Sequence, residues 1–177
     1  LSEAAALSTG AQKGIGQGNG VEAEAIVVLC ARLIANMSCA AAYRDAMISG
    51  GAVAALVRLV ANMQASTAGG SRSTEQQLRA SCCVALCNLS FGTSLLAVAV
   101  EEGVLEAGHL LLQSSSSEAQ HQDANAADAL ASGTRCSIIL RNLSSDFVAA
   151  PLAVERTDLM PTFSLLQQLV SRGDGAA

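Results

Sequence analysis

Apolar residues recur at spacings of three and four over residues 22–38, 75–90 and 123–144. That period predicts helices with one buried face, or wholly buried ones. A shorter stretch of the same kind follows each, at 41–49, 93–102 and 147–156, and a third set lies at 52–63, 104–113 and 159–170. The chain therefore reads as three units of helix, short helix, helix, spanning about 22–64, 74–113 and 123–170. Gly50-Gly51 and Gly103 stand between the second and third helices, where a sharp turn favours a residue tolerant of positive φ. Pro161 falls near the start of its helix, where a missing N–H costs little. Polar insertions at 65–73 and 114–122, the second holding Ser114 to Ser117, separate the units and are expected to be exposed and mobile. Residues 1–20 form a lead-in with a glycine-rich linker at Gly10–Gly20, residues 21–172 carry the units, and 173–177 form a tail.

The three units are also alike in sequence. Cys30 to Ser38, Cys82 to Ser90 and Cys136 to Ser144 align without gaps, each with an Asn six residues after its first Cys. Asn36, Asn88 and Asn142 follow Ile34, Leu86 and Leu140 by two residues and precede Met37, Leu89 and Leu143 by one. Gly51 and Gly103 both lie fifteen residues beyond their Asn and open apolar stretches, Gly51–Val60 and Gly103–Leu112. In the third unit, offset by one residue, Asp158 to Leu166 takes that place. Self-similarity at such a period is the mark of a repeat architecture.

These motifs resemble those of the armadillo repeat family. Leu86-Cys-Asn88-Leu89 and Leu140-Arg-Asn142-Leu143 match the Leu-x-Asn-Leu that ends the family's long helix, and Ile34-Ala-Asn36-Met37 matches conservatively. Gly51 to Val60 matches the family's second helix, with Ala at the usual Pro position. The resemblance covers about residues 22–170 and implies an all-α fold, an armadillo-type superhelix (solenoid) of about three repeats. It also implies a concave groove lined by the long helices, where Asn36, Asn88 and Asn142 would hydrogen-bond the backbone of an extended peptide. A carboxamide offers donor and acceptor together, which suits a peptide group of any sequence. Helical spacing puts Arg32, Val84 and Ile138, four residues before each Asn, on the same face, and Leu29, Ser81 and Arg135 seven before. Where the family's peptide carriers have Trp, this chain has none, so nuclear-signal recognition is not expected. The alternative reading is that the Asn residues tie neighbouring helices together.

Composition narrows the chemistry further. Half of the 177 residues are hydrophobic but only 2% are aromatic, so the core must be built from Ala, Val, Leu and Ile, which suits closely packed helices. A net charge of −5 with 14% charged residues excludes a nucleic-acid binder by bulk charge. No window approaches the roughly 18 uncharged apolar residues of a membrane helix, because the best, Val21 to Tyr43, contains Glu22, Glu24 and Arg32. Six cysteines in a helical pattern suggest a reducing, intracellular setting. Cys30, Cys82 and Cys136 share one repeat position and read as core residues. A metal or reactive-thiol role for Cys82, Cys83 and Cys87 is a remote alternative, since neither His109 nor His121 has zinc-ligand spacing to them.

The glycines of 14–20 lack the context of a phosphate-binding loop, and His121-Gln-Asp123 has no third catalytic partner. Glu101 and Glu102 are expected to face solvent. Asn36, Asn88 and Asn142 each lie in an Asn-x-Ser sequon, but a helix packed on its neighbours has no room for a glycan. The expectation is a non-enzymatic scaffold or adaptor with no cofactor and no metal, working with other proteins in a multi-subunit assembly. Its opening residue Leu1 and uncapped terminal units suggest further repeats in the same chain. The nine Arg to one Lys, with abundant Ala and Gly, are typical of a GC-rich genome. On that ground an axonemal (cilium or flagellum) or other cytoskeletal scaffold in the cytoplasm leads. The substrate-binding armadillo domain of a ubiquitin ligase, or a transport adaptor, is the alternative.

Overall fold

The computed structural model describes residues 22–65, 72–119, 126–146, 148–156 and 158–173. These residues form helices joined by turns with no strand among them, so the chain is all-α. We number the helices α1 (22–38), α2 (Ala41–Ser49), α3 (Ala52–Ala65), α4 (Arg72–Leu89), α5 (Leu96–Glu101), α6 (Val104–Ala119), α7 (Ala126–Ser144), α8 (Ala149–Arg156) and α9 (Met160–Gly173). They group as three triplets: α1–α3, α4–α6 and α7–α9. The glycine-rich stretch 10–20, the His121–Asp123 segment, most of the first insertion and the tail from 174 on lie outside the described residues.

Local chemistry sets the boundaries. Gly51 and Gly103 adopt φ of +78° and +93°, as the turns between second and third helices require. Gly92, not singled out from sequence, takes φ +62° in the turn after α4. The short helix of the second unit starts at Leu96 instead of 93. Thr93 and Ser94 are held outside it by Asp45 on α2, whose carboxylate accepts from both hydroxyls and from the Ser94 N–H. Asp146 Oδ1 opens α8 by accepting from the N–H groups of Val148 and Ala149, at 2.9 and 2.7 Å. Asp158 does the same for Met160 at 3.0 Å, and Pro161 follows as the second residue of α9. The second insertion corrects the expectation of a mobile loop from 114, because α6 continues to Ala119. The Ser114 hydroxyl donates to Leu110 O at 2.9 Å, and Gln64 of α3 donates to the same carbonyl and to Ser114 Oγ.

Equivalent helices of successive units lie against one another: α3 on α6 and α6 on α9, α4 on α7, α5 on α8. One apolar core runs through all three units, from Ala31 and Leu56 through Leu86 and Val100 to Ile139 and Leu143. Each fully buried Leu or Ile contributes about 1.5–3 kcal/mol relative to leaving it in water. Cys82 serves in this core; at the same position of α7 Cys136 is buried in a smaller cluster with Leu112, Leu165 and Leu166, while Cys30 on α1 is exposed. That difference recurs along the helix. Leu33 on α1 is 58% exposed, whereas its counterparts Ala85 and Ile139 are 0% and 2% exposed. These positions face the preceding unit, which the first triplet lacks among the described residues. At the other end Val154 on α8 is 69% exposed, whereas its counterparts Ile48 and Val100 are 0% and 1%. Among the described residues no single helix is long and apolar enough to cross a membrane.

Candidate partner-binding groove

The repeated Asn residues lie where each long helix meets the unit before it. Asn88 Nδ2 donates to Ser38 Oγ at 3.1 Å, and Asn142 Nδ2 donates to Ser90 Oγ at the same distance. Each serine is the third residue of the previous unit's own Asn-x-Ser. Ser38 and Ser90 are buried, and their hydroxyl protons go to Ala35 O and Cys87 O at 2.7 Å, which leaves the oxygen free to accept. The amide ends of Asn88 and Asn142 thus tie unit to unit. Among the described residues nothing donates to their Oδ1 atoms, and both side chains remain half-exposed. The nitrogen of each Asn ties helices together, which leaves its oxygen available to a further donor. Asn36 is exposed.

Arg32 is exposed, and Val84, Ile138 and Arg135 are half-buried, so all four can border a groove. Ser81 cannot, and the expectation for it is corrected. It is buried and its hydroxyl donates to Gln77 O at 2.8 Å. Its position turns towards the preceding unit, as its exposed counterpart Leu29 on the uncovered α1 shows. Glu102 is also corrected: instead of facing only solvent, it accepts from the Ala54 N–H at 3.2 Å and caps the start of α3 from the next unit.

Sequence reasoning passed over Arg44, eight residues beyond Asn36. Its side chain is buried, with Nε donating to Ser38 O (2.8 Å), Nη2 to Cys39 O (3.0 Å) and Nη1 to Phe91 O (2.6 Å). The guanidinium also lies 5.6 Å from the Phe91 ring centre. It satisfies carbonyls at the C-terminal ends of α1 and α4, where the helix dipoles are negative. The signal for it in the sequence is a single cation within a short, mostly apolar helix. Eight residues beyond Asn88 stands Leu96 instead, and there the junction between α4 and α7 opens into a cleft of about 370 Å³. Ser90, Gly92, Thr93, Leu96, Asn142 and Asp146 border it.

Cys82, Cys83 and Cys136 are buried, Cys87 is half-buried, and Cys30 and Cys39 are exposed. Burial, with Cys83 beside it, pushes the Cys82 thiol up to about 12. Cys136 lies beside Cys83 across α4 and α7, and this contact together with burial raises its thiol, keeping it protonated. The Cys136 Sγ proton goes to Gly108 O at 3.2 Å. Cys87 is half-buried and likewise raised by burial. Among the described residues no three His, Cys, Asp or Glu side chains converge as a metal-ligand set. His109 on α6 is hydrogen-bonded through Nδ1 to Thr162 Oγ1 of α9 at 2.9 Å, a further tie between units that the sequence did not reveal. Comparison of the chain with protein-family models, with curated proteins and with solved structures finds no match.

Proposed function

We propose that this chain is a segment of an armadillo-type solenoid and works as a non-enzymatic scaffold or adaptor within a larger protein assembly. The observation that carries the reading is the repeated Asn-to-Ser bond between successive long helices. It holds equivalent helices side by side in one register, the arrangement a stacked-repeat scaffold requires. An axonemal or other cytoskeletal assembly in the cytoplasm is the favoured setting, on the grounds of composition given above. A second reading, an adaptor or ubiquitin-ligase domain that grips an extended peptide, draws support from the cleft between α4 and α7. There Asn142 borders a space whose counterpart one junction earlier is taken by the Arg44 side chain.

Affinity capture from the source cell, run in parallel with the wild-type chain and a Leu96→Arg variant, separates the two readings. Arg at 96 reproduces in the second unit the side chain that closes the first junction. A stable multi-subunit complex retained equally by both chains supports the scaffold. A partner lost only from Leu96→Arg supports the peptide groove. Recovery of no stoichiometric protein with either chain would sink both.

A further inference from the structure

We propose that the cleft at the junction of α4 and α7 takes an arginine side chain from a partner protein. This deepens the second reading of the function and rests on it, since that reading holds a partner segment at this junction. The template lies inside the molecule. At the junction of α1 and α4, each of the three guanidinium nitrogens of Arg44 donates to a different carbonyl: Ser38 O, Cys39 O and Phe91 O. Counted from each unit's own Asn, the corresponding residues one junction later are Ser90, Phe91 and Ser145. All three border the cleft of about 370 Å³. So does Leu96, which stands where Arg44 stands and has no side-chain donor to offer.

The acceptors of the second junction are in place without their cation. Among the described residues no group donates to Ser90 O or Ser145 O. Phe91 O accepts from Arg44 and keeps a second lone pair. These carbonyls lie at the ends of α4 and α7 where the helix dipoles are negative, so a cation is favoured there. Asp146 adds a carboxylate on the border of the cleft. It holds the sequence position of Gly92, where a Cβ would stand 3.4 Å from Arg44 Nη1. Its Oδ1 caps α8, and no described group donates to its Oδ2. The opposing charge on the border is Arg141, whose side chain is exposed. Three carbonyls around one space suit the planar fork of a guanidinium, and an ammonium cannot span them in the same way. The volume is at the low end for ligand pockets, about 300–1,000 Å³, which fits a single side chain. Phe91, Gly92 and Ser145 on its border are exposed, so that side chain can enter from outside. The walls come from the second and third units alone, as those around Arg44 come from the first and second. The site therefore does not arise from either end of the chain.

The test uses the full chain and a library of random peptides displayed on phage. Peptides are selected on the wild type and counter-selected on Leu96→Arg, whose folding is checked by circular dichroism. Those that distinguish the two chains are expected to share an arginine. Replacing that arginine by lysine should weaken binding about tenfold, the worth of the charged hydrogen bonds lost. Asp146→Asn retains the cap of α8 and should weaken binding about fivefold, as for a partly exposed ion pair. In NMR spectra of the wild type, a bound peptide should shift the Asn142 side-chain amide. The Asn88 amide, at the junction that Arg44 fills, should stay in place. This readout needs no variant, and a shift confined to Asn88 overturns the proposal. Peptides lost on Leu96→Arg that share no arginine, or that bind equally well with lysine, overturn it and leave the peptide-groove reading standing. Free arginine that binds as tightly as the peptides also overturns it, since that marks a small-molecule site. If no peptide distinguishes wild type from Leu96→Arg and none shifts Asn142, the proposal and the peptide-groove reading fall together.

Discussion

Arg44 is a buried cation that forms no ion pair among the described residues, the neighbouring Asp45 being bonded to Thr93 and Ser94. It is stable because three carbonyls at two helix ends surround the guanidinium. Arg44→Met keeps most of the volume and leaves those carbonyls without a donor, so the loss should be about 2–4 kcal/mol. Urea unfolding measures it, and a loss within experimental error would refute this role. Arg44→Lys should recover only part, since an ammonium cannot span the same fork of acceptors. Two glycines offer a paired test. Gly103 has φ +93°, and a Cβ there would lie 3.4 Å from Val57 Cγ1, so Gly103→Ala should cost about 1 kcal/mol or more. Gly108 sits inside α6 with Cys136 Sγ at 3.9 Å from the same added atom, an ordinary contact. Gly108→Ala should therefore raise stability by about 0.5–1 kcal/mol, and thermal unfolding of the pair would show opposite signs. Gly51 and Gly103 were legible because a positive-φ turn has few residues to choose from. Ser81 was misplaced because helical spacing tells which residues share a face, but not which face a neighbouring unit covers.

Helix boundaries were legible where a cap or breaker lies close in sequence, as Asp158 and Pro161 do for α9. They were not legible where the deciding partner is distant. The start of α5 depends on Asp45, nearly fifty residues away, and the length of α6 on Gln64. The Asp45 contact gives a pH prediction. Hydrogen bonds from Thr93, then Ser94, hold its carboxyl below the ordinary carboxylate value. A folded-state value below the unfolded one means stabilisation that is present above about pH 3.9 and is lost as pH falls through the folded value. Asp45→Asn should thus be less stable than wild type at neutral pH, and the gap should close on acidification. Unfolding midpoints with a constant gap down to strong acid would contradict this. The cysteines report on helix packing in the same way. A thiol reagent should modify exposed Cys30 and Cys39 quickly, half-buried Cys87 more slowly, and buried Cys82, Cys83 and Cys136 only on unfolding. Fast labelling of Cys136 in the folded chain would show that the α6–α7 contact opens.

Across the whole molecule, one core is shared by the three units, so they should not melt independently. Leu86 is fully buried near its centre. Leu86→Ala should cost about 2–5 kcal/mol and lower the midpoint of a single transition. Two separated transitions in calorimetry would mean that the units are thermodynamically independent. The three-unit order and the register of the Asn residues were readable because both are written in the sequence as repetition. The cleft between α4 and α7 was not, because it arises where one unit lacks a side chain that another has, and Leu96 looks unremarkable as a core residue. The Asn-x-Ser tripeptide has a further consequence. It supplies the donor for the joint behind it and the acceptor for the joint ahead, so each unit carries both halves of the connection. Tandem duplication of one unit's coding sequence would insert a module already fitted to its neighbours on either side, and the array could lengthen or shorten by whole units without a second, compensating mutation.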